Sequence, residues 1–414
     1  MIKKRIDLEI KKGVRLSIVK PVWDYPVTRG VLIFHTGAYE DPEGKKGLSS
    51  IFFDLLNERR DIIDRMESLG ARIKASSSLT KSFVSFAFLN AKLKKSFDLL
   101  IEFIKQFDVD EALLNIVKRK KNSSLALLNE DPEYLIARKL YEIIYPQSEL
   151  SNPVAGLKED IENIVFDDIE RFYKEEFLNA FLDIVVVSSE HWKRIKAFVE
   201  KITEFFSPSR IKMPTSPEAY IPQNIIIKKK HLGNVFVSYV VPACEEGTSE
   251  YLPLKLLSYI LAEGSFNSRL VKRIREELGL AYYISSNTSR GFSVHDKKFR
   301  GYFEIIAETG KENRERLIHE IEHSIKEVFN FGITDEELQT AKSYYIGVER
   351  KRGETYKDIL NTLMTERLYN LEKNYFMNIK DEINKVEKES IMASLDRMKE
   401  KHFSRIQLVE EEIE

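Results

Sequence analysis

The sequence predicts two αβ units of about 200 residues each, joined end to end. Three observations lead to this prediction. The chain has 414 residues, which exceeds the usual size of one domain. The order of strands and helices in the first half recurs in the second half. Between the halves lies a cluster of prolines, which interrupt helices and stiffen linkers: Pro208, Pro214, Pro217 and Pro222.

The first half contains two strand–helix pairs. An apolar run at 30–34 predicts a strand, and 48–56 predicts a helix after it. Residues 82–88 alternate between apolar and polar side chains, which indicates a half-buried strand. The amphipathic segment 93–107 predicts the helix that follows this strand.

The second half repeats this order, with strands predicted at 235–241 and 302–307 and helices at 252–261 and 311–329. The repeat continues through the helical segments 110–145 and 335–369. Each begins with an acidic helix start, runs on as a long charged helix and, after a break, ends in a second amphipathic helix with a terminal Tyr. We therefore predict an N-terminal αβ domain at 1–206, a linker at 207–223 and a C-terminal αβ domain at 224–414.

Composition argues against several classes of function. The chain has 65 Lys and Arg against 66 Asp and Glu, so it lacks the basic excess of a nucleic-acid-binding protein. Its single cysteine, Cys244, cannot form an internal disulfide, which favours a reducing compartment. No signal peptide is visible, and no run reaches the roughly 18 apolar residues of a membrane span. We expect a cytoplasmic protein without nucleic-acid or membrane partners.

The most specific stretch of sequence is 264–282. It contains Ser268-Arg269-Leu270, a helix that carries Arg275, and Gly279-Leu280-Ala281 directly before Tyr282. This stretch resembles the second-domain signature of the pitrilysin/insulinase family of zinc peptidases, which includes the mitochondrial processing peptidases. The resemblance covers nearly the whole chain, from about residue 30 to residue 369.

The resemblance assigns chemistry to Arg275 and Tyr282, which stand seven positions apart as the family's substrate-polarising pair does. Peptide hydrolysis passes through a tetrahedral oxyanion, and each preorganised donor aimed at it contributes about 3 kcal/mol. The resemblance implies that Arg275 holds a substrate carbonyl and that Tyr282 donates to the oxyanion. It also places Ser268 and Arg269 among the substrate-binding residues.

The family's metal motif is altered in the first half. Metal-binding members carry a helical His-x-x-Glu-His, and those positions read Ser50, Phe53 and Asp54 here. The family's third ligand lies shortly before an Asp-Pro, and counting back from that dipeptide gives Ser124. Zinc requires nitrogen, thiolate or carboxylate ligands, and one carboxylate does not make a site. We therefore expect no cofactor in this chain.

For a chain that lacks the zinc ligands but keeps the Arg–Tyr pair, the resemblance implies an α+β fold and a subunit role. Each of two homologous domains would hold an antiparallel sheet flanked by helices, as in processing-peptidase-like metallohydrolases. A homologous partner would supply zinc, its bound water and the catalytic Glu, while this chain supplies Arg275 and Tyr282 to peptide substrates. The cleaved segment would add to a sheet edge of the partner, and the corresponding edge here, near 75–78, would be vestigial.

Two histidines offer a competing interpretation. His319 and His323 belong to a segment that satisfies both His-x-x-Glu-His and His-Glu-x-x-His, and Glu400 follows at a plausible third-ligand distance. The apolar stripe of this helix includes Ile321, which places both His on the solvent side. We therefore interpret them as surface residues, and His35, in an apolar strand, as a packed or hydrogen-bonded residue.

Two further functions stay open at this point. The chain could be a catalytically silent scaffold, like the respiratory-complex core subunits that descend from this family, although a scaffold has no need of Arg275 and Tyr282. It could also be a self-sufficient metallopeptidase that uses His319 and His323. Tight stoichiometric zinc in the isolated chain would favour the second.

Overall fold

The computed structural model of the chain describes residues 2–105, 109–209, 211–244, 248–263 and 267–411. The chain forms two compact units, and each is assembled from three segments. Unit 1 contains residues 1–128, 148–215 and 352–368. Unit 2 contains residues 129–147, 216–351 and 369–414.

Thirteen strands are present in the described residues. The strands of the first half are β1 (Ile2–Lys11), β2 (Val14–Pro21), β3 (Val27–Phe34), β4 (Arg72–Ser77), β5 (Ser82–Leu89) and β6 (Leu182–Val187). The strands of the second half are β7 (Asn224–Lys229), β8 (Val235–Ala243), β9 (Tyr283–Thr288), β10 (Phe292–Val294), β11 (Lys297–Phe299), β12 (Gly301–Thr309) and β13 (Ser404–Glu410).

The described residues also form fourteen α-helices. The first eight are α1 (Leu48–Asn57), α2 (Arg60–Ser68), α3 (Leu93–Lys105), α4 (Glu111–Leu128), α5 (Pro132–Ile144), α6 (Lys158–Asn163), α7 (Phe166–Arg171) and α8 (Trp192–Thr203). The remaining six are α9 (Tyr251–Leu261), α10 (Arg314–Phe331), α11 (Asp335–Arg350), α12 (Tyr356–Leu368), α13 (Tyr375–Lys385) and α14 (Lys388–Lys401).

Unit 1 is built on a six-stranded sheet of order β1-β2-β6-β3-β5-β4. All neighbours are antiparallel except β2 and β6, so β4 is an edge strand that pairs only with β5. One face of the sheet buries the main apolar core beneath α1, α2, α3 and α8. The other face carries a smaller core, in which α12 packs on Val31, Ile33 and Val185.

Unit 2 is built on a five-stranded sheet of order β7-β13-β8-β12-β9. Only the β7–β13 pair is parallel, and β9 is an edge strand. The apolar faces of α9, α10, α11 and α14 cover one side of the sheet. Helix α5 packs beside β8 and β13.

The predicted fold class is confirmed: both units are largely antiparallel sheets flanked by helices. The repeat is also visible in the structure, because β3–α1 and β5–α3 recur as β8–α9 and β12–α10. The structure departs from a simple end-to-end arrangement in one respect. Helices α5 and α12 are the second helices of the repeated segments 110–145 and 335–369. Helix α5, from the first half of the chain, belongs to unit 2, and α12, from the second half, belongs to unit 1. None of the helices in the described part of the chain is long and apolar enough to cross a membrane.

Candidate functional site

Helix α1 carries Ser50, Phe53 and Asp54, the three positions that the sequence resemblance aligns with the family's metal motif. Its first turn is fixed by Asp41, whose carboxylate accepts hydrogen bonds from the main-chain N–H groups of Gly47 (2.7 Å) and Ser49 (2.9 Å). Gly47 has a φ of 101°, a left-handed conformation that glycine adopts without strain. The helix then carries Ser50 and Phe53 into the interior of unit 1.

Phe53 is part of an aromatic core. Its side chain is fully buried, and its ring centroid lies 5.2 Å from that of Phe52, 5.8 Å from that of Phe177 and 6.3 Å from that of Phe34. Aromatic pairs at these separations stabilise a core beyond simple burial of apolar area. The position that the sequence resemblance aligns with the family's catalytic Glu is therefore a packing position in this chain.

A lysine ammonium lies between the other two altered positions. Lys121 Nζ on α4 donates to Ser50 Oγ at 2.5 Å and to Asp54 Oδ2 at 2.9 Å. The Lys121 side chain is only 15% exposed, whereas that of Asp54 is 42% exposed. The ammonium of Lys121 thus contacts both side chains that the sequence resemblance aligns with the family's zinc-binding histidines.

Ser124, the predicted counterpart of the third ligand, is not part of this group. It is exposed, and its Oγ donates to the carbonyl of Lys120 one turn earlier. The inward stripe of α4 consists instead of Leu114, Val117 and Leu125, with Lys121 in register. The structure therefore brings Ser50 and Asp54 together around Lys121 and leaves Ser124 outside.

These residues do not fit a zinc ion. Ser50 and Phe53 offer no nitrogen, thiolate or carboxylate, and the ammonium of Lys121 would repel a dication. Across the described ranges, no group of three or more His, Cys, Asp or Glu side chains is arranged to hold a metal. We therefore assign no metal-dependent step to this chain.

The last residue of α1 pairs with the free edge of β4 at one residue. Asn57 Nδ2 donates to the carbonyl of Ala75 at 2.8 Å, and the N–H of Ala75 donates to Asn57 Oδ1 at 2.9 Å. Both main-chain groups of a residue in an antiparallel strand face the same side. The groups of Ala75 that face the free edge of β4 are thus already paired, so a peptide cannot add as a strand at this point without displacing Asn57.

Three buried titratable groups and one half-exposed arginine form a connected set in the same unit. Arg15 donates to both carboxylate oxygens of Asp183 at 2.6 and 2.7 Å, His35 Nε2 lies 2.7 Å from Asp183 Oδ2, and Lys81 Nζ lies 2.9 Å from His35 Nδ1. His35 is therefore a hydrogen-bonded interior residue, as the sequence predicts. Its partners Asp183 and Lys81 lie 148 and 46 positions away along the chain, so local sequence patterns do not reveal them.

Burial and neighbouring charges displace the pKa values of His35, Lys81 and Asp183. Burial, followed by the charge of Lys81, lowers the pKa of His35 to about 4. Burial also lowers the pKa of Lys81 to about 8. For Asp183, burial acts to raise the pKa, but the bonds from His35 and Arg15 outweigh it and hold the pKa well below its usual range.

In unit 2, the signature residues shape the approach to Tyr282. Arg275 lies on a π-helical segment, Val271–Glu277, in which the N–H of Leu278 donates to the carbonyl of Arg273. Gly279 then turns the chain with a φ of 61°, and Leu280 is buried. Tyr282 therefore lies directly before the first residue of edge strand β9.

The two predicted catalytic side chains are accessible. Tyr282 is 67% exposed, and its main-chain N–H donates to the carbonyl of Glu308 at 3.0 Å. The Arg275 side chain is 45% exposed, with its Nε 3.9 Å from Glu276 Oε1. Both side chains are solvent-accessible, so a ligand can reach the phenol and the guanidinium while unit 2 stays folded.

The other two predicted substrate contacts are held in the structure of unit 2. Ser268 is buried. Arg269 donates to both carboxylate oxygens of Glu337 at 2.5 and 2.7 Å, and Glu337 also completes the N-terminal capping box of α11 with Thr334. A role for Arg269 in binding substrate would require this paired arrangement to open, and it stays a prediction. Residues 264–266 of the signature lie outside the described residues.

The competing histidines lie on the surface of α10. The side chains of His319 and His323 are 75% and 56% exposed. Their rings lie 6.3 Å apart, and their nearest carboxylates are those of Glu320 (3.8 Å) and Glu327 (3.7 Å). The predicted solvent-facing position of both histidines is confirmed.

Comparison with known sequences identifies the family. The model described as insulinase (peptidase family M16) matches residues 26–158, and the model described as the peptidase M16 inactive domain matches residues 163–345. The chain belongs to peptidase family M16. The altered residues of α1 fall within the first match, and the Arg275–Tyr282 pair falls within the second.

Several relatives extend over most of the chain. A protein of Helicobacter pylori called non-peptidase homolog YmxG is 23% identical over 364 residues, covering 86% of this chain and 82% of the relative. A Bacillus subtilis protein called uncharacterized zinc protease YmxG is 22% identical over 350 residues, with 81% of each chain covered. The crystal structure of a peptidase M16 inactive domain from Pseudomonas fluorescens superimposes with a TM-score of 0.87 at 19% identity, covering 99% of both chains.

Proposed function

We propose that this chain is the non-metal subunit of a two-chain zinc oligopeptidase of family M16. The observation that carries the proposal is the contrast between its two halves. The metal position on α1 is filled by a buried phenylalanine and a lysine ammonium, whereas Arg275 and Tyr282 stay exposed on a different unit. A homologous partner with an intact His-x-x-Glu-His would supply the zinc.

The role of this chain's own residues follows from donor chemistry. The guanidinium of Arg275 holds a carbonyl of the extended substrate through charge-assisted hydrogen bonds. The phenol of Tyr282 donates to the oxygen that becomes negative as the carbonyl turns tetrahedral. Because Asn57 already pairs the free edge of β4 at Ala75, the cleaved segment adds to a strand edge of the partner.

The test is cleavage of a quenched oligopeptide by this chain alone, by the zinc-bearing candidate alone and by the mixture. We expect only the mixture to cleave. Arg275→Ala or Tyr282→Phe in this chain should lower the kcat of the mixture by roughly 100- to 1,000-fold, the usual effect of losing one oxyanion donor. Arg273→Ala and Tyr283→Phe are matched controls, because both residues are partly exposed neighbours of the same types. If the controls lower the rate equally, the assigned roles are wrong.

A catalytically silent structural subunit is the second candidate. The name of the Helicobacter pylori relative and the replacement of the metal residues favour it. In that case the mixture would form a complex, but Arg275→Ala and Tyr282→Phe would leave the partner's kcat unchanged. A third candidate, an independent metallopeptidase, requires the isolated chain to bind one zinc tightly and to lose cleavage in His319→Ala.

A further inference from the structure

A pocket of about 530 Å³ lies beside α12, on the face of the unit-1 sheet that this helix covers. Residues of β3, β4 and β5 form its floor, and Leu360, Asn361 and Met364 of α12 form a wall. Beyond β4 the pocket reaches Ile63 and Met66 of α2. Its volume falls within the range of pockets that bind small molecules.

Two arginines flank a small residue on this floor. Arg29 of β3 and Arg72 of β4 are both paired in register with Ala87 of β5, the strand between them. Side chains of directly opposite residues lie on the same face of a sheet, and neighbouring strands are spaced by about 4.8 Å. The two arginine side chains therefore start roughly 10 Å apart, on either side of Ala87. Both are long enough to reach one ligand that lies above Ala87.

Two lysines add to this positive charge. Lys74 of β4 stands opposite Ser85 of β5 in the next row of the sheet, and Lys357 lines the pocket from α12. Glu67 is the single carboxylate among the lining residues, so four cations and one carboxylate leave a net charge of +3. In the described ranges of the chain, neither the two arginines nor the two lysines take part in an ion pair. The pocket therefore holds positive charge that the chain itself does not neutralise.

The charge and the lining of the pocket favour one class of ligand. A phosphate monoester carries about two negative charges near neutral pH and has three acceptor oxygens. Guanidinium groups bind phosphate through paired hydrogen bonds, and lysine ammonium groups bind it as point charges. A free phosphate ion would satisfy the cations but would leave the apolar side chains of Leu360, Met364 and Met66 uncovered. A ligand that satisfies the whole lining therefore joins a phosphate to an apolar group.

We propose that this pocket binds a small organic phosphate monoester, with its phosphate between Arg29 and Arg72 above Ala87 and its apolar group against α12. Binding of this kind uses side chains on the face of the sheet and needs no main-chain pairing with the edge of β4. It goes beyond the proposed peptidase function, because it requires neither a partner chain nor cleavage. Direct binding to this chain alone tests it, so its failure is distinguishable from a failure of the peptidase proposal.

The test is isothermal titration calorimetry of the full chain with octyl phosphate. Inorganic phosphate lacks the apolar group, and octyltrimethylammonium keeps the alkyl chain but carries the opposite charge. We expect octyl phosphate to bind roughly tenfold more tightly than either, and to bind more weakly as salt is raised. Equal affinity for inorganic phosphate would overturn the proposal, because the pocket would then take an adventitious ion only. Equal affinity for octyltrimethylammonium would also overturn it, because the cations would then play no part.

Adenosine monophosphate distinguishes two sources of such a ligand. Its apolar part is a nucleobase, whereas that of octyl phosphate is an alkyl chain. Saturable binding of either compound supports the proposal, and the tighter of the two identifies the natural ligand as a nucleotide or as an alkyl phosphate. If neither compound saturates the chain at millimolar concentration, the proposal is wrong.

Variants locate the binding. Arg72→Gln with Lys74→Gln removes two exposed cations and should weaken the binding of octyl phosphate by about tenfold. Ala87→Leu leaves the charges unchanged but fills the floor between the two arginines, and it should weaken binding by a similar factor. The matched control is Lys94→Gln with Lys95→Gln, which removes two exposed cations of α3 outside the pocket. If this control weakens binding as much as the pocket variants, or if Ala87→Leu leaves binding unchanged, the assigned site is wrong.

Discussion

Replacing Phe53 by Glu introduces the residue type that the sequence resemblance places at this position in metal-binding family members, yet we expect it to destabilise unit 1 severely. Phe53 is fully buried and touches three aromatic rings. Removing such a ring costs about 3–5 kcal/mol, as in Phe53→Ala. An unsatisfied carboxyl group adds about 1–3 kcal/mol. The total of about 4–8 kcal/mol is comparable with the whole stability of an ordinary domain, about 5–15 kcal/mol.

Urea denaturation followed by circular dichroism measures this effect. Phe53→Leu, which keeps an apolar side chain, should cost only about 1–2 kcal/mol and serves as the control. A Phe53→Glu variant within about 1 kcal/mol of the unaltered chain would refute the reasoning. The ammonium of Lys121 should also prevent zinc binding at these positions. A variant that combines Ser50→His, Phe53→Glu and Asp54→His, with Lys121 unchanged, should therefore bind no stoichiometric zinc.

Three other predictions concern the contacts around the two sites. Asn57→Ala should cost about 1–2 kcal/mol and speed hydrogen exchange of the Ala75 amide, because it removes both hydrogen bonds to Ala75; an unchanged exchange rate would contradict the pairing of Asn57 with β4. The folded-state pKa of His35, about 4, lies below its unfolded value of 6.5, so the unfolded state binds the proton first. Stability should therefore fall by up to about 3 kcal/mol as pH drops from 6.5 to 4, and His35→Asn should lack this component in pH-dependent unfolding. Arg269→Ala should lower the melting temperature, because it breaks the bidentate pair with Glu337. An unchanged melting temperature would show that this pair contributes little to stability and would favour the predicted substrate role of Arg269.

Local sequence patterns predicted the elements of this fold well. The strand predicted at 82–88 is β5, and the helix predicted at 252–261 is α9 within one residue. The period of the apolar pattern distinguishes a strand from a helix and shows which face of the element is apolar. It does not report which sheet the face covers. The exchange of α5 and α12 between the units is therefore absent from the sequence prediction, although both helices were recognised as amphipathic.

The altered metal position shows a similar limit. Counting back from the Asp-Pro dipeptide selected Ser124, whereas the helical register of Leu114, Val117 and Leu125 points to Lys121 as the inward residue. That register is readable from the sequence, so Lys121 could have been identified by periodicity instead of by distance. Asn57 could not, because its pairing with Ala75 depends on how the end of α1 meets β4.

The difference in burial between the two sites determines how far function can be separated from folding in this chain. In unit 1, Phe53 is part of the core, so any substitution there changes stability together with whatever else it changes. In unit 2, Tyr282 is 67% exposed and contributes its side chain to no described core. Removing its hydroxyl should change stability by less than about 0.5 kcal/mol. A loss of peptide cleavage in Tyr282→Phe would then report chemistry alone, and unchanged cleavage would favour the structural role.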